Sequence, residues 1–182
     1  MDDPLRAFER YLATEKRASP LTVSGYLQDV GFFVAWRGGE PFEPAATQTV
    51  DVRAWLRVLY QERLHPATIG RRLSALRAFY QFLVRVGAVA GDPTARVRTP
   101  KQPRRTPRFL SPDDAARLVE APCGEGPAAV RDRALLELTY GAGLRVSEVV
   151  ALDVGDVDLS GGTVRVEHGK GDKARVAPMG RI

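Results

Sequence analysis

Three residues of this chain have types and spacing that could do chemistry: Arg145, Glu148 and Lys170. Arg145 follows Gly141-Ala-Gly-Leu, a glycine break between two apolar runs, and so stands where a helix would start. A guanidinium stays protonated and offers a planar fork that matches two non-bridging oxygens of a phosphodiester, where charge grows in the transition state. Backbone N–H groups at a helix start would add to the attraction. Glu148 lies one helical turn on, where it could hold the arginine in one rotamer. Lys170 sits between Gly169 and Gly171 in His168-Gly-Lys-Gly-Asp-Lys-Ala-Arg175, which reads as a hairpin tip. A lysine there could enter a groove of DNA and protonate a leaving oxygen. Each feature has a plainer reading. An Arg–Glu pair at this spacing is common on helix surfaces, and spacing alone weighs the two readings equally. A single hairpin lysine is more often a charged turn.

The elements that must position these residues follow from the periodicity. Around the motifs, helices are expected over about 112–121, 128–140 and 145–152. The period then changes to two, giving strands at 163–168 and 174–178 after a turn at 156–162. Upstream, four helices are expected at 4–17, 20–36, 50–63 and 67–87, broken by Ser19-Pro20, Gly38-Gly39 and His65-Pro66. The last is the most regular. Ile69, Leu73, Leu76, Tyr80 and Leu83 form one buried stripe, with Arg71, Ser74 and Arg85 opposite and Thr68, Arg72 and Arg77 at its flanks. Ser and Thr among arginines suit close approach to phosphates, although a solvated helix face has the same pattern. Four short helices, each with one apolar face, imply a small bundle.

Charge separates the chain into parts. Residues 1–110 hold 18 Lys+Arg against 10 Asp+Glu, and residues 111–182 hold 9 against 12. The chain as a whole carries +5, with a pI near 9.7. A polyanion is the partner that a basic first part suggests. Between the parts, residues 91–110 contain four prolines. After Asp92 they carry Arg96, Arg98, Lys101, Arg104, Arg105 and Arg108 with no acidic residue. This reads as a stiff basic strap able to track a phosphate backbone, or as an ordinary solvated linker. The organisation expected is a helical DNA-binding domain at 1–90, a linker at 91–110 and a mixed unit at 111–182. The single cysteine, Cys123, excludes an internal disulfide, fits a reducing cytoplasm and has no basic neighbour to activate it. Two histidines about a hundred residues apart give no zinc spacing. The acidic N-terminus lacks a signal-peptide pattern, and no apolar run is long enough for a membrane span.

The run Tyr140-Gly-Ala-Gly-Leu-Arg-Val-Ser-Glu148 resembles the first catalytic box of the tyrosine recombinases, the phage integrase family. Gly169-Lys-Gly-Asp-Lys-Ala-Arg-Val-Ala-Pro178 resembles that family's hairpin-lysine motif. Ser19-Pro-Leu-Thr-Val-Ser-Gly-Tyr26 and Ile69-Gly-Arg-Arg-Leu-Ser-Ala-Leu-Arg-Ala-Phe-Tyr80 resemble the four-helix, SAM-like core-binding domain of Xer-type members. The resemblance implies a mainly α fold: that bundle, then the start of a catalytic α+β domain with a β-hairpin. It implies that Arg145 binds the scissile phosphate, Glu148 supports it and Lys170 is the general acid. It implies a clamp on duplex DNA, with contacts from Thr22, Tyr26, Thr68, Arg71, Arg72, Ser74, Arg77, the strap, and Lys173 and Arg175, which also read as solvated charges. It implies no metal or other cofactor, and partner protomers that form a tetramer on paired sites. The family's nucleophilic tyrosine follows a His-x-x-Arg box. None of Tyr11, Tyr26, Tyr60, Tyr80 and Tyr140 matches that position. The expectation is therefore the DNA-binding portion of a site-specific recombinase, for chromosome dimer resolution or DNA integration, inactive in cleavage by itself. A non-catalytic DNA-binding or interaction module of the same fold is the alternative. A helical adaptor for an acidic protein is a third reading.

Overall fold

The computed structural model describes residues 3–101, 109–169 and 173–180. The chain divides into two compact units, Met1–Arg105 and Thr106–Ile182.

The first unit is a bundle of α1 (Pro4–Thr14), α2 (Pro20–Trp36), α3 (Thr49–Gln61) and α4 (Pro66–Arg85). Three of these helices start the same way, with proline in the first turn after a capping side chain. The Asp3 carboxylate accepts from Leu5 N–H at 2.9 Å, Ser19 Oγ from Thr22 N–H at 3.3 Å, and His65 Nδ1 from Ala67 N–H at 3.2 Å. Each cap satisfies a backbone donor that the helix leaves unpaired, and proline costs nothing there because it has no N–H. The expected stripe on α4 is fully buried from Ile69 to Leu83. Phe79 and Phe82 are buried beside it, so α4 is covered over more of its circumference than one stripe. It packs mainly on α2. Aromatic edges lock the centre: Phe33 meets Trp55 at 5.2 Å and Phe8 meets Phe79 at 5.3 Å between centroids.

The strap begins as part of this unit. Asp92 Oδ1 accepts from Thr94 N–H and Thr94 Oγ–H, at 2.7 and 2.6 Å, and folds residues 92–97 into a turn. Val89 and Val97 insert into the helical core. Residues 92–97 of the expected strap are thus folded onto the helical unit; residues 102–108, including Arg104 and Arg105, lie outside the described residues.

The second unit holds α5 (Pro112–Glu120), α6 (Pro127–Gly141), α7 (Val146–Val150) and a sheet of β1 (Val157–Asp158), β2 (Thr163–Val166) and β3 (Arg175–Pro178). The sheet is antiparallel in the order β1-β2-β3, with Val157 opposite Val164 and Val166 opposite Arg175. β1 falls where the sequence suggests only a turn; two residues are too few to show alternation. Leu144, Val149, Val164, Val166 and Ala177 form its core. Among the described residues, no helix is long and apolar enough to cross a membrane, and no group of His, Cys, Asp and Glu could hold a metal ion.

Candidate functional site

Arg145 is the residue before the first turn of α7. Glu148 reaches back from that turn, and its Oε2 accepts from the Arg145 backbone N–H at 2.9 Å. Its Oε1 accepts from Arg145 Nη1, also at 2.9 Å. One carboxylate thus fixes both the main chain and the side chain of the arginine. The expected pair is present, but it is not the exposed surface pair of the plainer reading. The Glu148 side chain is 2% exposed, whereas that of Arg145 is 57% exposed. The guanidinium is held from the protein side and offers the rest of its donors outward.

A second arginine closes the arrangement. Arg175, the first residue of β3, donates from Nη1 to Glu148 Oε1 at 2.9 Å and from Nη2 to Oε2 at 2.7 Å. This is a bidentate fork, the geometry that an arginine–carboxylate pair favours. These contacts hold the Glu148 carboxyl far below the usual carboxylate range. The Arg175 bonds act most, then the Arg145 backbone N–H, and both outweigh the burial that opposes ionisation. The carboxylate stays charged at any physiological pH and ties α7 to the sheet. The hairpin end is fastened close by, since Gly169 N–H donates to Lys173 O at 3.2 Å. A Cβ on Gly169 would lie 2.5 Å from Lys173 O and 3.0 Å from Arg175 Nη1. Glycine is needed there for close approach. Lys170 lies outside the described residues. Lys173 is exposed.

The basic residues expected on the first unit fall into two sets. Several are engaged within the protein. Arg71 Nη1 donates to Asp29 Oδ2, a carboxylate buried on α2. Arg72 lies 3.9 Å above the Phe32 ring, and Arg77 Nη2 donates to Val97 O at 2.9 Å. Ser74 Oγ donates to Gly70 O at 2.9 Å, and Thr22 Oγ1 lies 2.8 Å from Ser19 Oγ. Tyr26 packs against the core, and Thr68 is half-buried. Arg96, Arg98 and Lys101 form the other set and are exposed. Sequence reasoning missed Asp29 and the fork made by Arg175. It also missed Arg53, Arg57 and Tyr60, which line a groove with Arg96 and Arg98. The signal for the last three was their spacing on the polar side of α3.

The family model described as Phage integrase family matches residues 108–181. That of the Phage integrase, N-terminal SAM-like domain matches residues 5–87. Tyrosine recombinase XerC of Pelobacter propionicus is 39% identical over 180 residues, covering 98% of this chain and 59% of that protein. Tyrosine recombinase XerC of Pelotomaculum thermopropionicum is 43% identical over 178 residues, covering 94% of this chain and 58% of that protein. The chain thus spans about three-fifths of the length of these curated relatives. Among solved structures, a lambda integrase dimer bound to a COC' core site superposes with a TM-score of 0.73 at 20% identity. That match covers 98% of this chain and 59% of the integrase fragment. A lambda integrase tetramer bound to a Holliday junction gives 0.73 at 20% identity, covering 96% of this chain and 49% of that one. At this identity the likeness speaks for the fold alone.

Proposed function

The chain belongs to the phage integrase family of tyrosine recombinases, and from that premise we propose that it grips duplex DNA and presents part of a phosphodiester-cleaving site in site-specific recombination. The observation that carries this reading is the Arg145–Glu148–Arg175 arrangement: one buried carboxylate and two arginines, one of them open to solvent. A phosphodiester placed on Arg145 would meet a fork whose rotamer is already set, so little reorganisation is needed as negative charge grows on its oxygens. Lys170 is the proton donor to the leaving oxygen in this reading. No cofactor is required, because a protein nucleophile and fixed charges supply the chemistry. The substrate is double-stranded DNA, the partners are further recombinase protomers, and the compartment is the cytoplasm. The first unit and the strap supply the grip, through Thr22, Tyr26, Thr68, Arg71, Arg72, Ser74, Arg77, Arg96, Arg98, Lys101, Arg104 and Arg105.

The test is a salt titration of the 182-residue chain on duplex DNA. With roughly six to eight phosphates contacted, log K falls against log salt with a slope of about −5 to −7. A slope near zero refutes the reading. Arg145→Ala should leave that binding almost unchanged, because the other phosphate contacts remain. In a protein that continues this chain to its relatives' full length, the same change should slow strand cleavage about 100- to 1000-fold. Equal reductions of affinity and cleavage would show Arg145 to be a simple backbone contact.

A further inference from the structure

Four arginines of the first unit face one groove that, among the described residues, no carboxylate lines. Arg53 and Arg57 project from α3, one helical turn apart, with Tyr60 following on the same face. Arg96 and Arg98 flank buried Val97 at the start of the strap. Leu56 and Val97 form the floor of a groove of about 470 Å³. The strap is pinned there: Arg77 Nη2 donates to Val97 O, and Val97 N–H donates to Thr94 O at 3.0 Å. The two walls therefore belong to one packed unit.

These arginines differ from their neighbours. Arg37 pairs with Asp51 at 3.2 Å, Arg71 with Asp29, and Arg85 with Glu15 at 2.5 Å. Arg53, Arg57, Arg96 and Arg98 make no ion pair or hydrogen bond among the described residues. Like charges at i and i+4 repel, and two more cations across the groove add to that cost. An anion lying in the groove would remove it. Guanidinium forks match phosphate oxygens bidentately, and a tyrosine hydroxyl is a further phosphate donor. Tyr60 is half-exposed and lines the groove with the arginines.

We propose that this groove is a binding site for the phosphodiester backbone of duplex DNA, with contacts beyond those on α2 and α4. The inference rests on the DNA-binding reading above and adds to it a site with named walls. A backbone fits better than an acidic protein surface, because the arginines line an open groove from a helix onto a strap that continues basic into Lys101.

The experiment compares three double variants of the 182-residue chain in salt titrations on one duplex. Arg53→Gln with Arg57→Gln should flatten the slope of log K against log salt by about two, since each phosphate no longer neutralised removes about 0.9. Arg96→Gln with Arg98→Gln, on the opposite wall, should do the same. Arg6→Gln with Lys16→Gln removes two charges from α1 and the turn that follows it, outside the groove, and should change the slope by less than about 0.5. All four groove side chains are exposed, so the unfolding midpoint read from Trp36 and Trp55 should not move. A steep wild-type slope that the α3 variant leaves no flatter than the α1 control would overturn the groove and leave the parent reading standing. That outcome would return the groove to other anions, such as an acidic protein. No binding by the wild-type chain would overturn both.

Discussion

Asp29 is a carboxylate almost wholly buried on α2, with Arg71 as its donor and Oδ1 without a hydrogen-bond partner. Replacing it as Asp29→Asn tests how the bundle tolerates a charge among apolar side chains. Two large terms oppose each other. Attraction between unit charges about 4 Å apart is worth about 4 kcal/mol at an effective dielectric near 20. Removing a carboxylate from water costs several kcal/mol after relaxation. Burial prevails, since it pushes the Asp29 carboxyl above its ordinary value against the pull of Arg71 and Arg72. The charge is thus held at a net cost near neutrality. An amide keeps one acceptor for Arg71, and that arginine is exposed enough to be hydrated when released. The variant should therefore be as stable as wild type at pH 7, or more stable by up to about 1 kcal/mol. For a domain this size, 1 kcal/mol raises Tm by roughly 4–8 °C. The pH dependence has a definite sign. With its folded value raised, Asp29 binds more protons in the native than in the unfolded chain. Its stabilising share is full below the unfolded value, about 3.9, and is lost as pH rises through the folded value. The advantage of the variant should appear as pH rises from 4 to 7 and fade toward pH 4. Urea unfolding followed by tryptophan fluorescence reads this unit alone, because Trp36 and Trp55 both lie in it. A variant more than about 1 kcal/mol less stable at pH 7, or a gap that widens on acidification, would refute the reasoning.

Two further predictions concern the second unit. Glu148→Gln should lower its stability at pH 7 and flatten its acid response. The native carboxyl lies well below the ordinary range, so its contribution is full above about 4.3 and is lost as pH falls toward the folded value. Urea unfolding read from the amide signals of β2 and β3 at pH 3–7 checks this, and parallel curves for the two proteins would contradict it. Gly169→Ala places a methyl against Lys173 O and the Arg175 guanidinium. It should speed exchange of the Gly169-position amide and shift the Arg175 side-chain resonances while leaving the first unit's unfolding midpoint in place; unchanged exchange would show that the close approach is not required.

The stripe on α4 was legible because a helix repeats every 3.6 residues, and five apolar side chains kept that rhythm over most of its length. The proline start of α2 was legible for an equally local reason, since the Ser19 cap and its donor lie within three residues, whereas His65-Pro66, which reads as a break, is itself the cap and first residue of α4. Burial of Phe79 and Phe82 was not legible: periodicity marks one face, and how many neighbours cover a helix is settled by the other helices. The same limit hid β1, which exists only through its pairing with β2.

The Arg145–Glu148 pair was determined by the sequence alone, because residues three apart on a helix start are neighbours wherever the helix goes. Its meaning was decided by tertiary structure. Arg175 reaches Glu148 from 27 residues away, and only the sheet that carries β3 brings it there. Arg71 likewise meets Asp29 across 42 residues, through the packing of α4 on α2. Arginines of equal standing in the sequence thus became two kinds. Some are neutralised by a carboxylate that the fold brings to them; others, Arg53 and Arg57 on α3 with Arg96 and Arg98, are gathered by the fold where no carboxylate among the described residues pairs with them. Spacing along the chain sets which side chains share a face, and packing between distant segments sets which charges remain for a partner.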